Sequence, residues 1–352
     1  MIRARAVQML CGVIFVTTAQ RMAAQNATIE GQTVLQGGAL TIGYAVVNTT
    51  PGGHEQFSDA DGRFVIRDLH PGTVHLTARR IGYAPFDTAI DLHAGERLRV
   101  RLEMRLITIQ LPAVHTLAKA CAHPGGSSDL IGPDLALLFD QVRQNAERNR
   151  LLASTHPFEL SIERRITKPE PILDARFVAY DTVRRSGLRD WRYAPGHMLG
   201  TREIESGVFG GKWITLTMPE LADFADPTFL DNHCFDYAGL ESVDGDTLIA
   251  VDFRPAPVVR QPDVSGTLFL DPRTYQLRLT LVTLVNLTKN LEDQISGQAV
   301  RATFKEILPG VPVLDVVSSA VFPKIDPKKA ATEPATETQR TLSVRFLNGR
   351  PR

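Results

Sequence analysis

Arg97-Leu98-Arg99-Val100-Arg101-Leu102-Glu103-Met104-Arg105-Leu106 alternates charged and apolar residues without a break. Successive side chains on an extended chain point to opposite faces, so this run is a strand with one dry face and one wet face. Working outward, Ala94-Gly95 turns the chain into it. Upstream, Val74, Leu76 and Ala78 share one face of another strand, and His70-Pro71-Gly72 turns the chain before that. Phe64 and Ile66 share a face of the strand after Asp59-Ala60-Asp61-Gly62, a turn in which Gly62 can take positive φ. Strands this short, with turns this frequent, predict an antiparallel β-sandwich over residues 27–115.

The motifs of this stretch fall in a specific order. Ser58-Asp59-Ala60-Asp61-Gly62-Arg63-Phe64-Val65-Ile66 precedes Leu69-His70-Pro71-Gly72, and Arg80-Ile81-Gly82-Tyr83 follows the next strand. In that order they resemble the carboxypeptidase regulatory-like domain family. The resemblance implies a transthyretin-like, seven-stranded sandwich, similar in architecture to starch-binding domains. The family also occurs ahead of TonB-dependent receptors. A chain of 352 residues is too short for such a receptor's 22-strand barrel.

Residues 116–132, with His123-Pro124-Gly125-Gly126-Ser127-Ser128, read as a linker. Pro133 to Leu152 then reads as one long helix. Pro133 suits a first-turn position, Asp134 suits the helix dipole, and Leu135, Leu138, Phe139, Val142 and Ala146 form an apolar stripe. From Pro157 the pattern returns to strands. Phe158, Leu160 and Ile162 share a face, as do Ile214, Leu216 and Met218, and Ile249, Val251 and Phe253. Thr267 to Leu277 is a hairpin turning at Asp271-Pro272, Val311 to Phe322 is apolar and β-rich, and Leu342 to Leu347 reads as the closing strand after a loop over Lys324 to Thr338. The predicted class is therefore mainly β: a seven-stranded antiparallel sandwich, then a large curved antiparallel sheet carrying the long helix over residues 133–352. The long hairpins resemble the half-barrel of periplasmic lipoprotein carriers; a plain α+β domain with no cavity is the alternative.

Residues 1–24 read as a secretory signal peptide, with Arg3 and Arg5 ahead of an apolar centre at Val13-Ile14-Phe15-Val16 and Met22-Ala23-Ala24 before Gln25. The apolar run is shorter than the roughly 20 residues that span a bilayer. No later segment has the length and apolarity of a membrane helix. Cleavage removes three arginines and no acid, leaving 36 basic against 39 acidic residues. A near-neutral chain gives no electrostatic argument for nucleic acid. Of the three cysteines, Cys121 and Cys234 survive processing, and export allows them to form a disulfide.

The chemistry-bearing candidates are few. His93-Ala94-Gly95-Glu96 spells His-x-x-Glu, with His197 downstream, but a zinc hydrolase needs a third ligand and an open position, and this run sits in a turn. His233-Cys234 invites a thiol-hydrolase reading, yet neighbours on a strand face opposite ways. Asp59 and Asp61 lack the further oxygens of a calcium loop. The expectation is an exported, non-catalytic binding or scaffolding protein of the cell envelope, without cofactor or metal. Its partner would be an envelope protein or a glycan. The alternative is a periplasmic carrier holding an apolar ligand in the concave face of the second sheet. An open apolar cavity favours the carrier and a filled core favours the module.

Overall fold

The computed structural model describes residues 26–52, 55–111, 124, 133–170, 175–187, 192–204, 211–293, 295–324 and 333–349. The predicted leader, residues 1–24, and the predicted linker, apart from Pro124, lie outside them.

The first unit has seven strands: β1 (Ala27–Leu35), β2 (Val46–Thr50), β3 (Gln56–Phe57), β4 (Arg63–Leu69), β5 (Gly72–Arg79), β6 (Phe86–Leu92) and β7 (Arg97–Met104). They form two sheets, ordered β4-β1-β7 and β3-β2-β5-β6. The seven-stranded sandwich is as expected, and the β7 alternation places Leu102 and Met104 inside while Arg97, Arg99 and Arg101 face water. One pairing is parallel, β1 with β7 from Thr28↔Arg97 to Leu35↔Met104. The five strands between them supply the long crossover that parallel neighbours require. Ala27, Ile29, Phe64, Ile66 and Leu69 of one sheet pack on Val47, Val74, Leu76 and Ala78 of the other. Gly62 sits at φ 78, and a Cβ there would lie 2.6 Å from the Thr33 carbonyl oxygen, so this turn needs glycine.

The second unit opens with α1 (Pro133–Thr155), followed by β8 (Phe158–Glu170) and β9 (Ala175–Ser186). A separate two-stranded sheet, β10 (Leu199–Ile204) with β11 (Gly211–Leu216), comes next. Then come a 3₁₀ turn (Leu221–Ala225), α2 (Pro227–Asn232), β12 (His233–Val243), β13 (Asp246–Pro255), β14 (Asp263–Leu270), β15 (Leu277–Val285), α3 (Lys289–Glu292), β16 (Ile295–Leu308), β17 (Val311–Pro323) and β18 (Ala335–Phe346). Nine of these strands make one antiparallel sheet, ordered β12-β13-β14-β15-β16-β17-β18-β8-β9. β18 starts at Ala335, so the end of the predicted Lys324–Thr338 loop is strand. The β14–β15 turn is held by Asp271, whose Oδ1 accepts from the backbone N–H of Arg273 and of Thr274, both at 2.9 Å.

The expected stripe of α1 meets the sheet: Leu138, Val142 and Ala146 are buried with Ile249, Val251, Val264 and Leu268. Further along, Leu152 and Ala153 pack on Phe158, Leu160 and Ile162 of β8. The other end of the sheet also buries its outer face. The β12–β13 hairpin has a bulge between Tyr237 and Gly239, its turn residue Asp244 pairs with Arg301 on β16, and Leu248, Ala250, Phe269 and Leu279 form a small outer core.

The chain leaves the sandwich and re-enters at α1 in one place. The Gln110 N–H donates to Asp134 Oδ1 at 3.3 Å, and the Ile109 N–H to the Tyr275 hydroxyl at 3.1 Å. The described residues on either side of this stretch, Gln110 and Asp134, therefore lie in contact.

Candidate functional site: the inner face of the large sheet and its polar joint

The inner face of the nine-stranded sheet has two halves of different chemistry. Over β12–β15 it is filled by the chain's own aromatics. Phe224, Phe229, Phe235 and Phe253 contact one another in tilted and edge-on geometries, and Phe229 stacks on the His233 ring at 3.8 Å. Such pairs add about 0.5–1.5 kcal/mol each beyond their burial.

Inside that filling lies a buried polar triad. Tyr193 donates its hydroxyl hydrogen to Asp263 Oδ2 at 2.5 Å, and the Val264 N–H donates to Asp263 Oδ1 at 2.8 Å. His233 Nδ1 lies 2.9 Å from the Phe229 carbonyl. Its Nε2 is 3.2 Å from Asp263 Oδ1, an ion-pair distance without hydrogen-bond alignment. Burial, then the bond to Asp263, pushes the Tyr193 hydroxyl above its usual range, so it stays a donor. Tyr193→Phe is expected to cost about 1–3 kcal/mol, because it leaves a fully buried carboxylate short of one donor. Urea unfolding of the variant checks this, and a change within a few tenths of a kcal/mol would contradict the assigned role.

Over β16–β9 the inner face is mixed. Register places Val317, Gln339, Arg164 and Asp181 side by side across four strands. The Arg164 Nε–H donates to Asp181 Oδ1 at 2.8 Å, Arg185 reaches Gln339 at 3.2 Å and Glu220 at 3.4 Å, and the Gln339 amide donates to Glu337 at 2.7 Å. The Arg164 bond holds the Asp181 carboxyl below its ordinary range. This floor is half-buried and charged, a poor match for an acyl chain.

The joint with the sandwich is carried by polar side chains of α1. Asn145 donates to the Tyr275 carbonyl and accepts from the Leu277 N–H, both at 2.9 Å. Gln141 accepts from the Gly82 N–H at 2.8 Å. Arg148, 2% exposed, donates from Nε to the Gly310 carbonyl at 2.6 Å and from Nη2 to the Tyr44 carbonyl at 2.5 Å. Its guanidinium also lies 5.2 Å from the Phe57 ring centre. Burial, and next the neighbouring Arg80, pushes Arg148 well below the usual arginine range. Arg80 lies across Gly310, where a Cβ would fall 1.6 Å from Arg80 Nη1.

The residues singled out in the sequence are dispersed. His93 and Glu96 clasp their own turn: the His93 N–H donates to Glu96 Oε2 at 2.8 Å, which with the His93 ring holds the Glu96 carboxyl low. Asp59 Oδ1 accepts from the N–H of Asp61 at 2.9 Å and of Arg63 at 2.7 Å, closing the turn. His197 lies in a turn closed onto the Ala194 carbonyl at 3.0 Å. Among the described residues no group of three His, Cys, Asp or Glu could hold a metal ion. Cys234 is buried on β12 with its sulfur in a disulfide. Cys121, its predicted partner, lies outside the described residues. Among the described residues no helix is long and apolar enough to cross a membrane.

The polar stripe of α1 was not anticipated. Gln141, Gln144 or Asn145, and Arg148 recur at helical spacing, a signal that a solvated face gives equally well.

No curated protein matches the chain. Among solved structures, a domain from Vibrio parahaemolyticus described as an outer membrane lipoprotein-sorting protein domain is 11% identical, with a TM-score of 0.33, covering 60% of this chain and 94% of that one. A DUF1329 family protein from Desulfovibrio piger is 11% identical, TM-score 0.31, covering 60% and 94%. A LolA superfamily protein from Nitrosomonas europaea is 10% identical, TM-score 0.29, covering 58% and 92%. Likeness at these scores says nothing about what this chain binds. Residues 28–105 match the carboxypeptidase regulatory-like domain family, the family that the order of turns and strands in that stretch resembles.

Proposed function

We propose that this chain is an exported, non-catalytic protein of the cell envelope that binds or scaffolds a partner, an envelope protein or a glycan. The observation that carries the reading is how much of the inner face the chain itself occupies: its aromatic side chains fill it over β12–β15, the end of α1 covers Phe158, Leu160 and Ile162, and the Arg164–Asp181 ion pair and the Arg185–Gln339 bond lie beside them. A carrier for an apolar ligand would need that space empty and apolar. The locked joint fits a scaffold as well, since Arg148, Asn145 and Gln141 fix the sandwich and the sheet to one helix. The non-catalytic reading is supported by the structural engagement of the candidate groups, His93 and Glu96 in a turn and Cys234 in a disulfide. The export reading rests on residues 1–24.

The test is titration of the mature protein with a fluorescent long-chain fatty acid. No saturable binding is expected. Stoichiometric uptake, with a blue-shifted emission abolished by unfolding, would replace this reading with the carrier. Mass spectrometry of the same preparation should place its N-terminus near Gln25.

A further inference from the structure

The outer face of the β4-β1-β7 sheet of the sandwich is turned to water and concentrates arginine. Along β4 and β7, the strands that flank β1, the outward positions hold Arg63, Arg67, Arg97, Arg99 and Arg101. The outward acids on the three strands are Glu30 and Glu103, so five positive charges stand against two negative ones, a net of +3. Without residues 1–24 the chain as a whole has the opposite sign, with 36 basic against 39 acidic residues. The side chains of Arg97 and Arg99 are 80% and 88% exposed and that of Arg63 is 65% exposed, so nothing covers them.

The pairs already present leave positive charge over. Glu30 is shared by Arg99 at 3.6 Å and Arg97 at 4.0 Å, and Glu103 lies 3.7 Å from Arg101. At the ends of β4, Asp61 pairs with Arg63 at 2.7 Å and Asp68 follows Arg67. Exposed pairs of this kind are worth at most about 1 kcal/mol, so they yield readily to another anion. Register sets the arginines in two lines. Gln32 of β1 stands between Arg63 and Arg101, and Glu30 between Val65 and Arg99. The lines are therefore two strand spacings apart, about 10 Å, and along β7 one arginine follows another every ~7 Å. Glu30, between the lines, is 34% exposed and sits lower than the arginines beside it.

We infer that this face binds a linear glycan that carries acidic groups, carboxylate or phosphate, along its length. The inference rests on the binding reading proposed above and names the partner's chemistry. A planar guanidinium presents paired N–H donors that match two oxygens of either group. Three of them in line along β7 suit a chain that repeats its charge better than a single small anion. None of the outward residues at Thr28–Gln32, Arg63–Arg67 and Arg97–Glu103 is aromatic, so the face offers no ring on which a neutral sugar could stack. Val65, 40% exposed, is the one apolar side chain among them. A protein interface is centred on apolar and aromatic side chains, and an interfacial membrane contact on inserted apolar ones; this face supplies neither.

Binding of the full mature chain to polygalacturonate and to phosphorylated mannan tests this, with uncharged dextran alongside. At least one of the acidic polymers should bind, which also tells carboxylate from phosphate, and dextran should not. Raising the salt from about 0.05 to about 0.5 M should release the complex. Arg97→Gln combined with Arg99→Gln should weaken binding by more than about tenfold while leaving the urea midpoint in place, since both side chains are exposed. Arg273→Gln, in the β14–β15 turn, removes a charge elsewhere and should change nothing. No binding to either acidic polymer, binding indifferent to the double substitution, or an equal loss in Arg273→Gln overturns the proposal. So does tighter binding to polyglutamate, which would mark an acidic protein, or to phosphatidylglycerol vesicles, which would mark a membrane surface. Each of these leaves the scaffold reading in place, because that reading stands or falls on the fatty-acid titration.

Discussion

Arg148→Met is expected to destabilise the protein by about 3 kcal/mol and to loosen the sandwich from the sheet. The carbonyls of Tyr44 and Gly310 lie 2.5 and 2.6 Å from the guanidinium and have no way to follow a shorter side chain to water. A buried group left without its partner costs about 1–3 kcal/mol, so two of them give about 2–6. Against this stands the cost of holding a charge at a 2% exposed site, felt as the downward push on Arg148. Removing that charge returns part of the loss, as replacement of buried ions by apolar side chains does elsewhere. The orphaned carbonyls win, because the substitution cannot replace them too. Guanidinium unfolding is the measurement. One cooperative transition should shift to lower denaturant or divide in two as the sandwich uncouples; an unmoved midpoint would show that Arg148 is incidental to the joint.

Reduction is expected to have an effect of similar size. We propose that Cys234, whose sulfur is in a disulfide, is bonded to Cys121, closing a loop across a sequence separation of 113. In the chain-entropy view a loop of about 100 residues contributes up to about 4.7 kcal/mol, with measured values often lower. Here the bond would staple the excursion of residues 112–132, whose two ends already meet at Gln110 and Asp134, to the outer face of the sheet at β12. Cys121→Ser and Cys234→Ser should each lower the unfolding midpoint, and dithiothreitol should have no further effect on either variant. Two reactive thiols per chain under denaturant without reductant would end the pairing.

Much of the architecture is legible along the chain. The alternation of β7, the turn at Gly62, the apolar stripe of α1 and the Asp271 hairpin are local patterns, and local patterns survive folding because each encodes a periodicity or a backbone angle. The family resemblance over the sandwich is legible for the same reason, as an ordered series of turns and strands. What is not legible is partnership. Alternation states that one face is buried without stating what lies alongside, so the parallel pairing of β1 with β7 and the insertion of β18 between β17 and β8 came only from the tertiary structure. The same limit hides the joint. Gln141, Asn145 and Arg148 have one sequence signature whether water or carbonyl oxygens satisfy them. The sequence by itself determined the sandwich, the long helix and the strand-rich remainder. Only the packing of sandwich, helix and sheet decided that the inner face is filled over β12–β15 and that a buried arginine holds the three together, because both depend on which surfaces meet across more than a hundred residues of chain.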